Sequence, residues 1–165
     1  MLTAERLREV LDYNSETGAF TWIIQTARKQ TKIGDVAGGL HKSTGYWQIC
    51  IDYHVYRAHR LAWLYMTGAW PMNQIDHINF NRIDNRFDNL REATNSQNQG
   101  NRGIQKNNTS GFKGVRWNIS AKKWRSQIYI NNKHIYLGGF DSINDAVTAY
   151  ERAARGHFGK FMRMP

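Results

Sequence analysis

A chain of 165 residues is long enough for one domain or two small ones, and 41% hydrophobic with 13% aromatic residues is the composition of a globular protein. No apolar run approaches the roughly 20 residues that span a bilayer, which excludes a transmembrane helix, and Glu5, Arg6, Arg8 and Glu9 interrupt what a signal peptide needs. The formal charge is +10, and residues 101–165 alone hold 12 Lys/Arg against 3 Asp/Glu, the electrostatic footprint of a module that binds a polyanion.

Cys50 is the single cysteine, so an intramolecular disulfide and a zinc site built on paired cysteines are both excluded. A reducing, cytoplasmic setting is expected. In chain order, Thr3–Leu11 reads as a helix capped by Thr3, residues 15–18 as a turn, and Ala19–Ile23 as a strand. Residues 25–32 are a polar, basic loop. Tyr46–Tyr53 alternates so that Trp47, Ile49, Ile51 and Tyr53 share one face, which predicts a strand. Ala58, Leu61, Ala62, Leu64, Tyr65 and Met66 then recur at helical spacing as far as Gly68, and Pro71 stops any continuation. Residues 72–101 are rich in Asn, Asp and Arg, yet Ile75, Ile78, Phe80, Ile83, Phe87 and Leu90 recur as single anchors, which predicts a compact polar element.

Linker composition at residues 102–111 sets the expected boundary between a region 1–101 and a module 112–165. In the module, Gly114–Asn118, Trp124–Ile130 and His134–Phe140 read as a three-stranded antiparallel meander. Ser142 and Asp145 read as a capping box before a helix carrying Ile143, Ala146, Val147, Tyr150, Ala153, Ala154 and Phe158 on one face. That helix would cover one face of the sheet and leave the other open and basic, with some of Lys113, Arg116, Lys123, Arg125 and Lys133. The fold class expected is α+β.

Asp76-His77 follows a short extended stretch, with Asn89 and Asn98 further along the polar element. This set, with the surrounding string IDHINFNRIDNRFDNLREATNSQNQGN and the preceding YRAHRLAWLYMTGAWP, resembles the HNH nucleases of phage and their ββα-metal motif, here with a core at about 72–101. The resemblance implies a DNA endonuclease in which His77 is the general base, an imidazole able to accept a proton at cellular pH. It implies that Asp76 and Asn98 hold one divalent cation, Mg²⁺ before Mn²⁺, and that Asn89 fastens the loop carrying His77 and orients its ring. Neither an organic cofactor nor a membrane is implied. Phe80 stands where many relatives have Gly, which raises a question about the loop's conformation. Arg82, Arg86 and Arg91 flank the motif and are candidates for phosphate contact, with simple solvation an equal alternative. His59 is read as packing or capping, and residues 1–45 carry no motif, with Arg28, Lys29 and Lys32 weak candidates for DNA contact.

The last segment resembles the AP2 DNA-binding domain in Gly114-Val115-Arg116, Lys123-Trp124, Tyr136-Leu137-Gly138 and the Ala-Tyr helix. That resemblance implies a sheet lying in the major groove of duplex DNA, and carried over by position its groove-facing residues are Lys113, Arg116, Asn118, Gln127, Tyr129, His134 and Tyr136. Trp124 and Phe140 are assigned to the core. Together the two resemblances imply a freestanding, homing-type endonuclease of phage acting inside a bacterial host. An inactive DNA-binding regulator and an RNA-binding protein are the alternatives.

Overall fold

Thr3 starts the first helix, α1 (Ala4–Val10), by accepting the Arg6 amide on its hydroxyl at 3.2 Å, which satisfies one of the donors a helix leaves open. The computed structural model describes residues 1–25, 31–100, 103–104 and 107–162, and of Gln99 only the backbone. Arg28 and Lys29 lie outside the described residues, and Lys32 is exposed. The chain falls into two units, Met1–Ala93 and Thr94–Pro165.

In the first unit, β1 (Leu11–Tyr13) and β2 (Phe20–Trp22) pair antiparallel. Their turn is built by Asn14, whose side-chain oxygen accepts from the Glu16 and Thr17 amides at 3.0 and 2.9 Å. Gly18 closes it at φ +74. A second sheet has the order β3 (Gly39–His41), β4 (Tyr46–Ile51), β5 (His54–Arg57). The strand expected to reach Tyr53 stops at Ile51, because Asp52 and Tyr53 take φ +47 and +64 and form a two-residue hairpin loop with Ile51 opposite His54. Tyr53 is therefore 95% exposed rather than beside Ile49 and Ile51. Arg6 grips the Asp52 carboxylate through two bonds, of 3.0 and 3.1 Å, and holds the tight loop against α1.

Helix α2 (Ala58–Thr67) ends at Gly68, whose φ of +77 closes the last turn. Its buried Leu61 and Leu64 join Leu7, Leu11, Phe20, Ile49 and Ile51 in one core, where each fully buried aliphatic side chain contributes about 1.5–3 kcal/mol. His59 lies in this helix at 3% exposure, and its Nδ1 finds no hydrogen-bond partner among the described residues. Burial, reinforced by the charge of His77, Arg57 and Arg60, pushes its pKa down to about 3. Beyond α2, β6 (Gln74–His77) and β7 (Leu90–Ala93) form a hairpin that sets Asp76 opposite Arg91 and His77 opposite Leu90. The long loop between them touches the N-terminal turn. Tyr13 donates its hydroxyl to the Asn85 carbonyl at 2.6 Å, and a Cβ on Gly18 would lie 2.5 Å from the Arg86 amide nitrogen.

In the second unit, α3 (Asn95–Gly100) packs on α4 (Ile143–Phe158). A Cβ on Gly100 would lie 2.6 Å from the Phe158 ring, and Ser96 bonds His157 at 3.2 Å. The division between the units thus falls before α3, whereas the expected boundary lay after it. Residues 107–111, read as linker, are a hydrogen-bonded turn instead. Asn108 accepts from the Gly111 amide at 2.7 Å, and Ser110 donates to the Val115 carbonyl at 2.7 Å. β8 (Val115–Asn118), β9 (Lys123–Ile130) and β10 (Lys133–Phe140) form an antiparallel sheet in the order β10-β9-β8, with Asn131 and Asn132 at φ +48 and +62 making its tight hairpin. Helix α4 covers one face of the sheet through Ala146, Tyr150, Ala154 and Phe158. Ser142 caps it by accepting from the Asn144 amide at 3.2 Å, one residue short of the expected partner Asp145. Among the described residues no helix is long and apolar enough to cross a membrane.

Two outcomes follow from the first unit. Gly18→Ala combines a left-handed backbone with a clash against the backbone at Asn85 and Arg86, so urea denaturation should show a loss of about 2–4 kcal/mol. His59 titrates near its ordinary value of 6.5 when unfolded and near 3 when folded, so the unfolded state binds the extra proton in between. Its contribution is whole above pH 6.5 and is lost as pH falls toward 3, at up to about 1.4 kcal/mol per pH unit. His59→Phe should flatten that slope in urea melts taken across the window.

Candidate active site

Residues 78–89 close the β6–β7 hairpin with Phe87 packed beside Trp63 at one end, and the backbone of the rest is held by side-chain amides. Asn89, 6% exposed, accepts the Asn79 amide on Oδ1 at 2.9 Å and donates Nδ2 to Asn79 Oδ1 at 3.0 Å and to the Asp84 carbonyl at 2.8 Å. Its carbonyl takes the Ile78 amide at 2.9 Å. Asn79 in turn donates to Asp84 at 2.6 Å and accepts from the Asn81 amide at 2.9 Å. Within this frame Phe80 sits at φ +65, a conformation in which Gly carries no Cβ penalty.

His77, at the end of β6, is 5% exposed. Its ring lies edge-on to His59 with centroids 5.0 Å apart, and 6.1 Å from the Tyr46 ring. The ring's polar partner is Asn85, with Nε2 to Oδ1 at 3.4 Å, so Asn89 ties the loop while Asn85 meets the imidazole. Asn85 gives its own amide hydrogen to the Ile83 carbonyl at 3.2 Å, which turns its oxygen toward the ring. The tautomer consistent with that arrangement carries the proton on Nε2 and leaves the lone pair on Nδ1. Burial lowers the His77 pKa, opposed by the Asn85 bond and by the charges of Asp76 and Asp84, so the neutral form prevails at pH 7. Asn85 escaped the sequence reading because Asn is common in turns. The doubling of polar residues at Asp84-Asn85 was the available signal.

Asp76 is 6% exposed, and its Oδ2 receives Arg91 Nε and Nη2 at 3.0 and 2.9 Å. Arg91 is therefore an ion-pair partner of the expected ligand. Asn98 lies on α3 in the second unit, where its amide nitrogen donates to the Thr94 carbonyl at 2.9 Å. The structure thus gathers Asp76, His77 and Asn89 on one hairpin and carries Asn98 in the other unit. Among the described residues no group of three His, Cys, Asp or Glu side chains stands ready to hold an ion. On the hairpin itself the Asp76 carboxylate offers hard oxygens, a donor type that suits a cation keeping most of its own water.

The flanking arginines differ in their partners. Arg86 is clamped to Asp84 through Nε at 2.9 Å and Nη2 at 2.8 Å, so its charge is already compensated. Arg82 is exposed, donates to the Thr44 carbonyl at 3.0 Å and lies 5.0 Å over the Tyr46 ring. Arg57 lies over the same ring at 4.7 Å. Sequence reasoning had no reason to single it out.

In the second unit Val115, Ser126 and Ile128 are buried under α4, and the strand pairing places the alternate residues on the far face. Arg116 stands opposite Arg125, Asn118 opposite Lys123, Gln127 opposite Tyr136, and Tyr129 opposite His134. Six of the seven residues expected there are on this open face. Lys113 is the exception, half-buried before β8 with its ammonium on the Gly100 carbonyl at 2.7 Å. Arg125, already expected among the basic residues of the open face, lies 5.2 Å over the Tyr136 ring with its Nε buried and lacking a hydrogen-bond partner among the described residues. Trp124 is on the covered face, half-buried, with its ring edge-on to Trp117 at 5.2 Å.

A family model described as HNH endonuclease matches residues 56–99. The chain is 31% identical over 112 residues to Protein 3.8 of Escherichia phage T7, an alignment covering 66% of this chain and 93% of that protein. Over 46 residues, 28% of the chain, it is 41% identical to APETALA2-like protein 2 of rice and to the AP2-like ethylene-responsive transcription factor TOE2 of Arabidopsis thaliana, spanning only 11% and 10% of those proteins. No solved structure matches. HNH nucleases act on DNA and typically use a divalent metal. The hairpin bearing Asp76, His77 and Asn89 lies inside the HNH match, and nearly the whole of the T7 protein aligns, so the chain belongs to the family of phage T7 Protein 3.8 and carries an HNH endonuclease element at residues 56–99.

Proposed function

We propose that the chain is a homing-type endonuclease that hydrolyses a phosphodiester bond of duplex DNA at the β6–β7 hairpin and is placed on its target by an AP2-like second unit. The observation that carries this reading is the buried His77 beside the Asp76 carboxylate, with its Nε2 turned to Asn85 Oδ1. His77 Nδ1 is then the base that takes a proton from the attacking water, and Asn85 fixes the ring and its tautomer. Asn89 keeps the loop, and hence the imidazole, in place through its bonds to Asn79 and Asp84. Asp76 and, by family resemblance, Asn98 supply the oxygens that would hold the cation, with Mg²⁺ the ion best suited to so few protein donors. A bound divalent ion contributes positive charge to the phosphate and its leaving oxygen.

The open face of β8–β10 is the DNA-docking surface in this proposal. Arg116, Arg125, Asn118 and Gln127 offer hydrogen-bonding groups to base edges and phosphates, while Tyr129, His134 and Tyr136 fill the groove around them.

Plasmid nicking with Mg²⁺, and with EDTA as control, tests the chemistry. His77→Ala should lower the rate by about 10²–10⁴ with DNA binding retained, and nicking at the wild-type rate would remove His77 from the role. For the docking face, Arg116→Ala should weaken binding to the preferred site by about 1–3 kcal/mol and relax discrimination at one base pair. An unchanged footprint and an unchanged salt dependence would take Arg116 off the interface.

A further inference from the structure

Tyr46, at the start of β4, carries a cation on its ring from each of two distant parts of the first unit. Arg57 comes from the end of β5 at 4.7 Å, and Arg82 from the loop after His77 at 5.0 Å. The two guanidinium groups therefore stand within about 10 Å of each other, inside one Debye length at ordinary salt. Both residues are exposed, and among the described residues neither forms an ion pair. That separates them from Arg86 and Arg91, which are held by Asp84 and Asp76. Two like charges at one ring repel, and a single aromatic ring offsets only part of that. The Tyr46 ring lies 6.1 Å from the His77 ring, which puts the cations at the edge of the candidate active site.

We propose that Arg57 and Arg82, bracketing Tyr46, form a two-pronged grip on the DNA backbone phosphates that flank the scissile one. This deepens the endonuclease reading and rests on it. Tyr46 pre-orders both long side chains, so less rotamer freedom is given up when a phosphate arrives, and each guanidinium offers a planar pair of donors to phosphate oxygens. The carbonyl of Thr44 steadies the Arg82 end through the 3.0 Å bond.

The test is the salt dependence of binding to a labelled random-sequence duplex, measured on the full chain with EDTA present so that no cleavage intervenes. For each DNA phosphate that the protein ceases to neutralise, the slope of log K against log[salt] shrinks by about 0.9. Arg57→Ala and Arg82→Ala should each show that change and the double variant about twice it, while Arg57→Lys, which keeps the charge, should hold the wild-type slope. Melting curves identify any variant that fails to fold, and Arg57→Gln, which keeps much of the side-chain stem, then replaces the alanine. Wild-type slopes in folded Arg57 and Arg82 variants overturn the grip even if the wild-type chain nicks DNA. A wild-type chain that never nicks DNA with Mg²⁺, but whose slopes change as stated, overturns the nuclease reading and leaves the grip standing.

Discussion

The Asn89 side chain is the constraint on which the site depends. Between β6 and β7 the chain runs through a dozen residues of which Ile78, Phe80 and Ile83 are exposed and only Phe87, near the end, packs against the core beside Trp63, so apolar packing pins one end of the loop and leaves the shape of the rest to polar contacts. One amide does it by acting as donor and acceptor together, taking the Asn79 amide hydrogen and giving its own to Asn79 and to the Asp84 carbonyl. A carboxylate at position 89 could only accept, and two of the three bonds would be lost. Each buried polar group left unpaired costs about 1–3 kcal/mol, so the loop is well ordered only with the whole set in place. That is how a loop with little apolar packing holds a defined backbone next to His77.

The N-terminal region, without any motif, supplies the other half of that support. Tyr13 reaches the Asn85 carbonyl, Ser15 accepts the Phe87 amide at 3.3 Å, and Gly18 lets the turn approach the loop backbone closer than any Cβ would permit. Asn85 is therefore held from two sides, by its own amide on Ile83 and by the Tyr13 hydroxyl on its carbonyl. The T7 relative, aligned over most of its length, has room for more than a hairpin, and a short polar motif of this kind needs a packed platform to stand on.

How much of this was legible in the sequence follows from the range of each interaction. Thr3 and Ser142 were readable as caps, and α2 and α4 as helices, because capping and amphipathic spacing are local. The strands β8, β9 and β10 were placed within a residue for the same reason. Asp52-Tyr53 was not readable as a hairpin loop, since neither residue is Gly and Tyr favours strands. Its left-handed backbone is held in part by the distant Arg6, which no local pattern reveals. Among the candidate residues, Asp76, His77 and Asn89 share one hairpin and were legible together as a motif. Asn85 and Arg57 reach the candidate site only through contacts formed on folding, with His77 and Tyr46 respectively. Lys113 was misplaced because a basic residue before a strand says nothing about which carbonyl its ammonium will find.

The Asp76–Arg91 pair links this architecture to charge. Asp76 is 6% exposed, and a buried charge is costly without a partner. Arg91 joins it from the facing strand, in register, so the hairpin folds with the charge already balanced. Two Arg91 nitrogens, Nε and Nη2, meet Asp76 Oδ2. A divalent cation held by the same carboxylate would leave the local charge strongly positive, and the natural counterpart to that excess is the phosphate backbone. The exposed Arg57 and Arg82 push in the same direction. Arg91 thus balances Asp76 within the hairpin itself, whereas under the proposed chemistry the further positive charge of a cation and of Arg57 and Arg82 would be balanced only by a bound phosphate backbone.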